Sequence, residues 1–157
     1  MNEAKYEKKY IDVNGIKTCY IEEGSGEPLI LIHGGGAGAN GYGNWFGCLP
    51  LLGKQFRTIA VDMVGFGNTD SPDPAGFEYS QKARYDHIAG FIKALGYSKA
   101  SLVGNSMGGA TAIGVAVEYP DLVDKLVLMG SAGLNAEITP ALQPVLGYDY
   151  TPEGMIR

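Results

Sequence analysis

The chain has 157 residues, of which 45% are hydrophobic and 18% are charged, a composition typical of one globular domain rather than a disordered segment. The formal net charge of −5 argues against a nucleic-acid partner, because binding to phosphates requires a basic surface. The N-terminus lacks an apolar run of signal-peptide length and no later segment could span a membrane, so we expect a cytoplasmic protein without a membrane partner.

The first half of the chain predicts a hairpin followed by two buried strands. Alternating apolar and polar residues predict strands over Lys9–Val13 and Ile16–Glu22, joined by a tight turn at Asn14-Gly15. The continuous apolar run PLILI is typical of a strand buried on both faces, as is the stretch FRTIAVDMVGFG, whose strand should end near Asp62. Between these two strands we expect one helix over roughly residues 44–55.

The second half predicts two helices and two further strands. Ser80 is a suitable N-cap for a helix that runs to about Leu95. The apolar stripe of this helix consists of Tyr85, Ile88, Ile92 and Leu95. A buried strand (Ala100–Val103), a helix (Met107–Tyr119) stopped by Pro120, and a strand in KLVLMGSAG follow. A hairpin followed by alternating strands and helices indicates an α/β fold with a mostly parallel sheet.

The sequence G-N-S-M-G at residues 104–108 lies between an apolar strand and a helix of small residues, as in a nucleophile elbow. So tight a turn holds Ser106 in a strained conformation, and its neighbours two positions away must lack side chains. The serine then stands at a helix N-terminus, where the Met107 N–H can stabilise a developing oxyanion. The alternative is an ordinary loop serine.

The glycine-rich stretch HGGGAGANG at residues 33–41 follows an earlier strand, where the second oxyanion donor is normally found. Backbone without side chains allows the N–H of Gly35 or Gly36 to point at a substrate oxygen. His33 is expected to order this loop by hydrogen bonding rather than to act as a base.

A dinucleotide-binding fingerprint is the main rival interpretation of these glycines, with Asp62 on a ribose hydroxyl. It is disfavoured because no helix opens directly after the loop and because a complete elbow follows. Asp62 instead lies in the tight turn DMVGFG, where we expect it to cap backbone N–H groups.

Few other side chains suggest chemistry. The chain has two histidines, and both precede Ser106. His87 is one position off the apolar stripe of its helix, so we expect it at the surface or its boundary. Cys19 and Cys48 are too few and too far apart for a disulfide framework or a metal site, so we expect two reduced thiols and neither a cofactor nor a metal.

Four stretches, HGGGAGANGYGNW, VDMVGFGNTD, VGNSMGGATAIGVAVEYP and LVLMGSAG, together resemble the α/β-hydrolase superfamily and, within it, the meta-cleavage-product hydrolases. The wording of the motifs is most similar to hydrolases of carbazole and biphenyl-type pathways. These enzymes cut a carbon–carbon bond in 2-hydroxy-6-oxohexa-2,4-dienoates made by ring fission of aromatic compounds. The resemblance implies a catalytic serine (Ser106), oxyanion donors (Met107 and Gly35 or Gly36) and dienoate-binding side chains (Asn44 and Asn105).

The resemblance also implies that the chain is the N-terminal portion of an α/β-hydrolase fold, since the triad acid and histidine follow the serine in this superfamily. Residues 1–135 then form a partial core. Residues 136–157 begin the lid, where Thr151-Pro152-Glu153 resembles a helix start. We expect the chain alone to be inactive and its strand over Lys125–Met129 to leave an exposed sheet edge.

Two other functions stay open at this point. One is a carboxylesterase-type α/β hydrolase, and the other is a non-catalytic protein that binds a small molecule or a partner. For the full-length enzyme the resemblance leaves a homo-oligomer open.

Overall fold

The computed structural model describes residues 6–134, which form one twisted sheet with helices on both faces. Within these residues the sheet has six strands in the order β1-β2-β4-β3-β5-β6. The strands are β1 (Lys9–Val13), β2 (Ile16–Glu23), β3 (Pro28–Ile32), β4 (Arg57–Val61), β5 (Ala100–Asn105) and β6 (Val123–Met129). The helices are α1 (Gly41–Trp45), α2 (Leu49–Leu52), α3 (Gln81–Ala94) and α4 (Met107–Glu118), and a short 3-10 turn spans Pro120–Leu122.

The sheet is mixed but mostly parallel, as the sequence predicts. β1 pairs with β2, and β2 with β4, in antiparallel orientation, whereas the β3–β4, β3–β5 and β5–β6 pairs are parallel. The hairpin turns at Asn14 and Gly15, which both have positive φ (54° and 85°), as a two-residue type I′ turn requires. β3 is buried along its whole length, because helices cover both of its faces.

Two apolar layers hold the helices against the sheet. α3 and α4 pack on one face, around Ile30, Ile32, Phe91 and Leu102. α1 and α2 pack on the other face, where Trp45, Leu49 and Leu31 belong to one buried apolar cluster. Because the ends of β3, β4 and β5 lie side by side in this arrangement, the loops that follow them meet at one edge of the sheet.

The helix predicted over residues 44–55 is wrong, because the structure has two short helices there. α1 begins earlier, at Gly41, where the Asn40 side chain accepts a hydrogen bond from the Gly43 N–H. α2 contains Pro50 in its first turn. Proline has no N–H to donate to the preceding turn, so α1 cannot continue through it and a new helix starts.

The other predicted elements are confirmed, and their observed ends differ from the predicted ones by two residues or fewer in most cases. The Ser80 side chain accepts from the Ala83 N–H and caps α3, as predicted. No helix among residues 6–134 is long and apolar enough to cross a membrane. The proposed lid segment and its helix start at Thr151 lie outside the described residues.

Candidate active site

Ser106 lies at the junction between β5 and α4 in a backbone conformation that few non-glycine residues adopt, with φ 54° and ψ −116°. The turn is possible because its flanking residues are glycines. A methyl group on Gly108 would overlap the carbonyl oxygens of Ile32 and His33, and one on Gly104 would overlap the backbone of Gly108. The elbow is therefore packed directly on the end of β3.

Hydrogen bonds between the backbone groups of Ser106 and those of other residues hold it in this position. Its N–H donates to the Met129 carbonyl at the end of β6 (3.0 Å). Its carbonyl oxygen accepts from the N–H groups of Gly109 (3.0 Å) and Ala132 (3.0 Å). The hydroxyl is exposed at one wall of a pocket of about 410 Å³. Ser106 is therefore a strained and exposed serine on the wall of this pocket.

The glycine loop forms the opposite wall of the pocket. A Cβ on Gly34 would lie 3.3 Å from the Ser106 Cβ, and one on Gly35 would lie 3.2 Å from the Met107 sulfur. The loop backbone can approach the serine this closely because its residues lack side chains. Gly36 has a φ of 120°, and a Cβ there would meet no atom within 4 Å. The structure therefore brings Gly35 next to Met107, while Gly36 lies further out.

Both predicted substrate-binding asparagines line this pocket. Asn44, on α1, accepts the Gly34 N–H at its Oδ1 (3.1 Å). Asn105, the last residue of β5, donates from its Nδ2 to the Met129 carbonyl (3.1 Å). Each side chain is thus oriented by one backbone contact and has further polar groups to offer. The pocket thus combines a serine, these two amides, a third from Asn40 and glycine backbone.

Residues 27–154 match the family described as "alpha/beta hydrolase fold". The chain belongs to this family. It is 51% identical over 157 residues to the 2-hydroxy-6-oxo-6-(2'-aminophenyl)hexa-2,4-dienoic acid hydrolase of Metapseudomonas resinovorans, covering 99% of this chain and 53% of that protein. It is 44% identical over 135 residues to the 2-hydroxymuconate semialdehyde hydrolase of Pseudomonas sp. strain CF600, covering 86% of this chain and 47% of that protein.

A solved structure supports the same relationship. The meta-cleavage product hydrolase of Pseudomonas fluorescens IP01, complexed with acetates, has a TM-score of 0.84 and 46% sequence identity. The match covers 94% of this chain and 53% of that one. The resemblance to meta-cleavage-product hydrolases is thereby confirmed. The α/β hydrolase chain spans about half the length of the relatives it matches.

Neither histidine of this α/β hydrolase chain is available to Ser106. The His33 ring is fully buried, and the Met63 N–H donates to its Nε2 (3.0 Å) while its Nδ1 bonds the Gly34 carbonyl (2.7 Å). Burial lowers the pKa of this ring. The expectation that His33 orders the glycine loop is confirmed, and both of its nitrogens are occupied.

The prediction that His87 lies at the surface or its boundary is wrong. The ring is 4% exposed, and its Nε2 lies 2.8 Å from the Thr18 hydroxyl on β2. Because that hydroxyl donates its proton to the Ile16 carbonyl (3.1 Å), the His87 Nε2–H is the donor. Burial lowers the pKa of His87 to about 4, so the ring is neutral. The hairpin covers this side of α3 and encloses the histidine.

Asp62 follows β4 and is used by the backbone, as predicted. Its Oδ1 accepts from the Gly41 N–H (2.7 Å) and its Oδ2 from the Asn68 N–H (2.8 Å). A carboxylate held in this way is not free to bind a ribose, and α1 begins at Gly41 rather than directly after the glycines. The dinucleotide interpretation is therefore unsupported by the geometry. Across residues 6–134, no group of three or more His, Cys, Asp or Glu side chains could hold a metal ion.

Sequence reasoning missed Asn40, which also lines the pocket. Its Oδ1 accepts from the Gly43 N–H (2.6 Å) and its Nδ2 donates to the Gly38 carbonyl (3.2 Å). It joins the glycine loop to α1 and so helps to place Asn44. Asparagine is a favoured N-cap residue, because its side-chain oxygen can accept a hydrogen bond from an N–H in the first turn of the helix. This signal was present in the sequence at residue 40.

Proposed function

We propose that the whole protein hydrolyses a carbon–carbon bond in 2-hydroxy-6-oxohexa-2,4-dienoates, the ring-fission products of aromatic compounds. In this proposal the chain supplies Ser106 as the nucleophile or as the group that orients a water. One observation carries the proposal: the strained Ser106 shares a pocket with a glycine loop and with the side chains of Asn44 and Asn105. The similarity to hydrolases named for such dienoates supports the substrate class.

The residues around the pocket suit the chemistry of such a substrate. The dienol must first take up a proton on carbon and become a ketone, during which negative charge develops on oxygen. Serine or a serine-bound water then attacks the C6 carbonyl, and its oxygen becomes an oxyanion that the N–H groups of Met107 and Gly35 or Gly36 can stabilise. The C5–C6 bond then breaks, and its electron pair moves along the chain to the C2 oxygen of the ketone, which takes up a proton and restores a dienol. C6 becomes a carboxylic acid, either at once when water attacks or after water hydrolyses an acyl-serine, so that one water is consumed in total.

We further propose that Asn44 and Asn105 contact the polar end of the dienoate. Each of them has one amide atom fixed by backbone and lies on the pocket wall, so the remaining amide atom can bind substrate without a large loss of side-chain entropy. The remaining atom of Asn44 is Nδ2, a donor that suits a carboxylate or a hydroxyl, and that of Asn105 is Oδ1, an acceptor that suits a hydroxyl. No charged side chain lines this pocket among the described residues, so these amides carry polar recognition within them.

The base that serves Ser106 is proposed to come from outside the described residues. His33 and His87 have other partners, and in this superfamily the acid and the histidine follow the serine. Residues 136–157 are proposed to begin a lid over the pocket, with residues 1–135 forming part of the core.

A comparison of two substrates tests the proposal. The product of the complete reading frame that contains these residues is assayed with a yellow dienoate and with a nitrophenyl ester of similar size. Its kcat/KM for the dienoate should exceed that for the ester by about 100-fold or more. Comparable or reversed values would assign it to the carboxylesterases, and turnover of neither substrate would favour a non-catalytic binding protein.

A further inference from the structure

The direction of one loop peptide decides whether the proposed oxyanion site can work. The Gly34 carbonyl and the Gly35 N–H belong to the same planar peptide group, so they point in opposite directions. A contact that fixes the carbonyl therefore also fixes the N–H. The His33 Nδ1 lies 2.7 Å from the Gly34 carbonyl oxygen and is such a contact.

The proton positions on His33 follow from its partners. The Met63 N–H can only donate, so the Nε2 that it contacts at 3.0 Å must carry a lone pair. In a neutral ring the proton is then on Nδ1, which donates to the Gly34 carbonyl. The imidazole is thus locked in one tautomer, with one nitrogen anchored to the backbone after β4 and the other on the glycine loop.

The surroundings leave this ring no alternative position. It is fully buried, and the Phe66 ring packs edge-on against it, with 5.2 Å between the ring centres. On the other side of the peptide chain, the Gly34 N–H is held by Asn44 (3.1 Å). Both polar groups of Gly34 are therefore bound, whereas the Gly35 N–H forms no hydrogen bond with any described residue.

We propose that His33 is a positioning residue that aims the Gly35 N–H at the substrate oxygen. Gly35 lines the pocket and lies against Met107, the other donor. A Cβ placed on Gly36 would meet no atom within 4 Å, whereas one on Gly35 would lie 3.2 Å from the Met107 sulfur. The inference rests on the proposed function only in requiring that a substrate carbonyl binds beside Ser106.

Two substitutions separate the two hydrogen bonds of His33. In His33→Asn the amide nitrogen is attached at Cγ, like Nδ1, and can still donate to the Gly34 carbonyl. In His33→Gln the amide lies one atom further out, like Nε2, and can accept from the Met63 N–H but cannot reach the Gly34 carbonyl. Both variants lose the ring and its contact with Phe66, so each is the matched control of the other.

Kinetics of the product of the complete reading frame test the inference. Loss of one oxyanion donor costs about 100- to 1000-fold in kcat, so His33→Gln should lower kcat about 100-fold with KM within about threefold of its original value. His33→Asn should retain kcat within about tenfold. Equal losses of kcat in both variants, in step with their thermal stability, would overturn the inference, since a purely structural role predicts that result.

A second readout separates this inference from the assignment of the substrate. An oxyanion site serves ester hydrolysis as well, so the same pattern should appear with a nitrophenyl ester even if the dienoate is not turned over. The Gly35 amide signal in a ¹H–¹⁵N spectrum reports the same peptide without any substrate. It should move in His33→Gln and stay near its original position in His33→Asn; an unmoved signal in His33→Gln would also overturn the inference.

Discussion

The buried His87 should make the stability of the protein fall in mild acid. Its native pKa is about 4, against 6.5 for the free side chain, and burial is the cause. Between pH 6.5 and about pH 4 the His87 ring is protonated in the unfolded chain but neutral in the folded chain. The free energy of unfolding therefore decreases as the pH falls through this range. Between pH 7.5 and pH 5 this single ring accounts for a loss of about 2 kcal/mol.

Substitution of the ring isolates its contribution. His87→Gln removes the titrating group and keeps an N–H donor for the Thr18 hydroxyl. Urea unfolding at pH 7.5 and pH 5, followed by tryptophan fluorescence, measures the loss of stability in each protein. His33 has a lowered pKa too and contributes in the same direction, but it is present in both proteins and cancels in the difference. We expect the original protein to lose about 2 kcal/mol more than the variant.

Equal losses in the two proteins would contradict the buried position of His87. If both proteins lose the same free energy between pH 7.5 and pH 5, His87 binds its proton in the folded state as readily as in the unfolded one. The ring could then not be enclosed between α3 and the hairpin.

Three further predictions follow from the fold. Gly108→Ala places a methyl group against two backbone carbonyls and should lower the free energy of unfolding, measured in urea, by about 3 kcal/mol. In the control Gly47→Ala the methyl group meets no atom within 4 Å, so the loss should be less than about 1 kcal/mol; equal losses would contradict the packing of the elbow. Ser80→Ala removes the α3 cap and should cost about 1 kcal/mol, and an unchanged midpoint would argue against the cap. The 157-residue chain alone should show no turnover, because both its histidines have other partners. It should also associate in size-exclusion chromatography, because exposed apolar residues line β6; a monomer with Ser106-dependent turnover would contradict both expectations.

The strands were predictable because each carries a simple local pattern. The alternation in Lys9–Val13 and the continuous apolar run of Pro28–Ile32 reflect burial on one and on two faces, and the observed bounds agree. The elbow was predictable for a steric reason, since a turn this tight leaves no room for a side chain at residue 104 or 108. Few sequences place a serine between two glycines at the end of an apolar strand. The break between α1 and α2 was also signalled, by Pro50, although a single helix was predicted over residues 44–55.

The environment of His87 could not be predicted from the sequence. The apolar stripe places Ile88 and Ile92 on the sheet, and periodicity assigns a neighbouring residue to the boundary. In the structure α3 buries a wider face that includes Phe91, because the hairpin folds over its side. The partner of the histidine, Thr18, is 69 residues away in the chain. Such pairings depend on how elements are arranged in space, which a local pattern does not contain.

The substitution Ser106→Ala tests the proposed role of the serine. In the product of the complete reading frame, kcat for the dienoate is compared between the original protein and Ser106→Ala, with dienoate binding measured in parallel. We expect kcat to fall by at least about 1000-fold while the variant still binds the dienoate, because its asparagines and glycine loop are intact. A loss of less than about tenfold would contradict the account, since the strained serine would then take no essential part in the reaction.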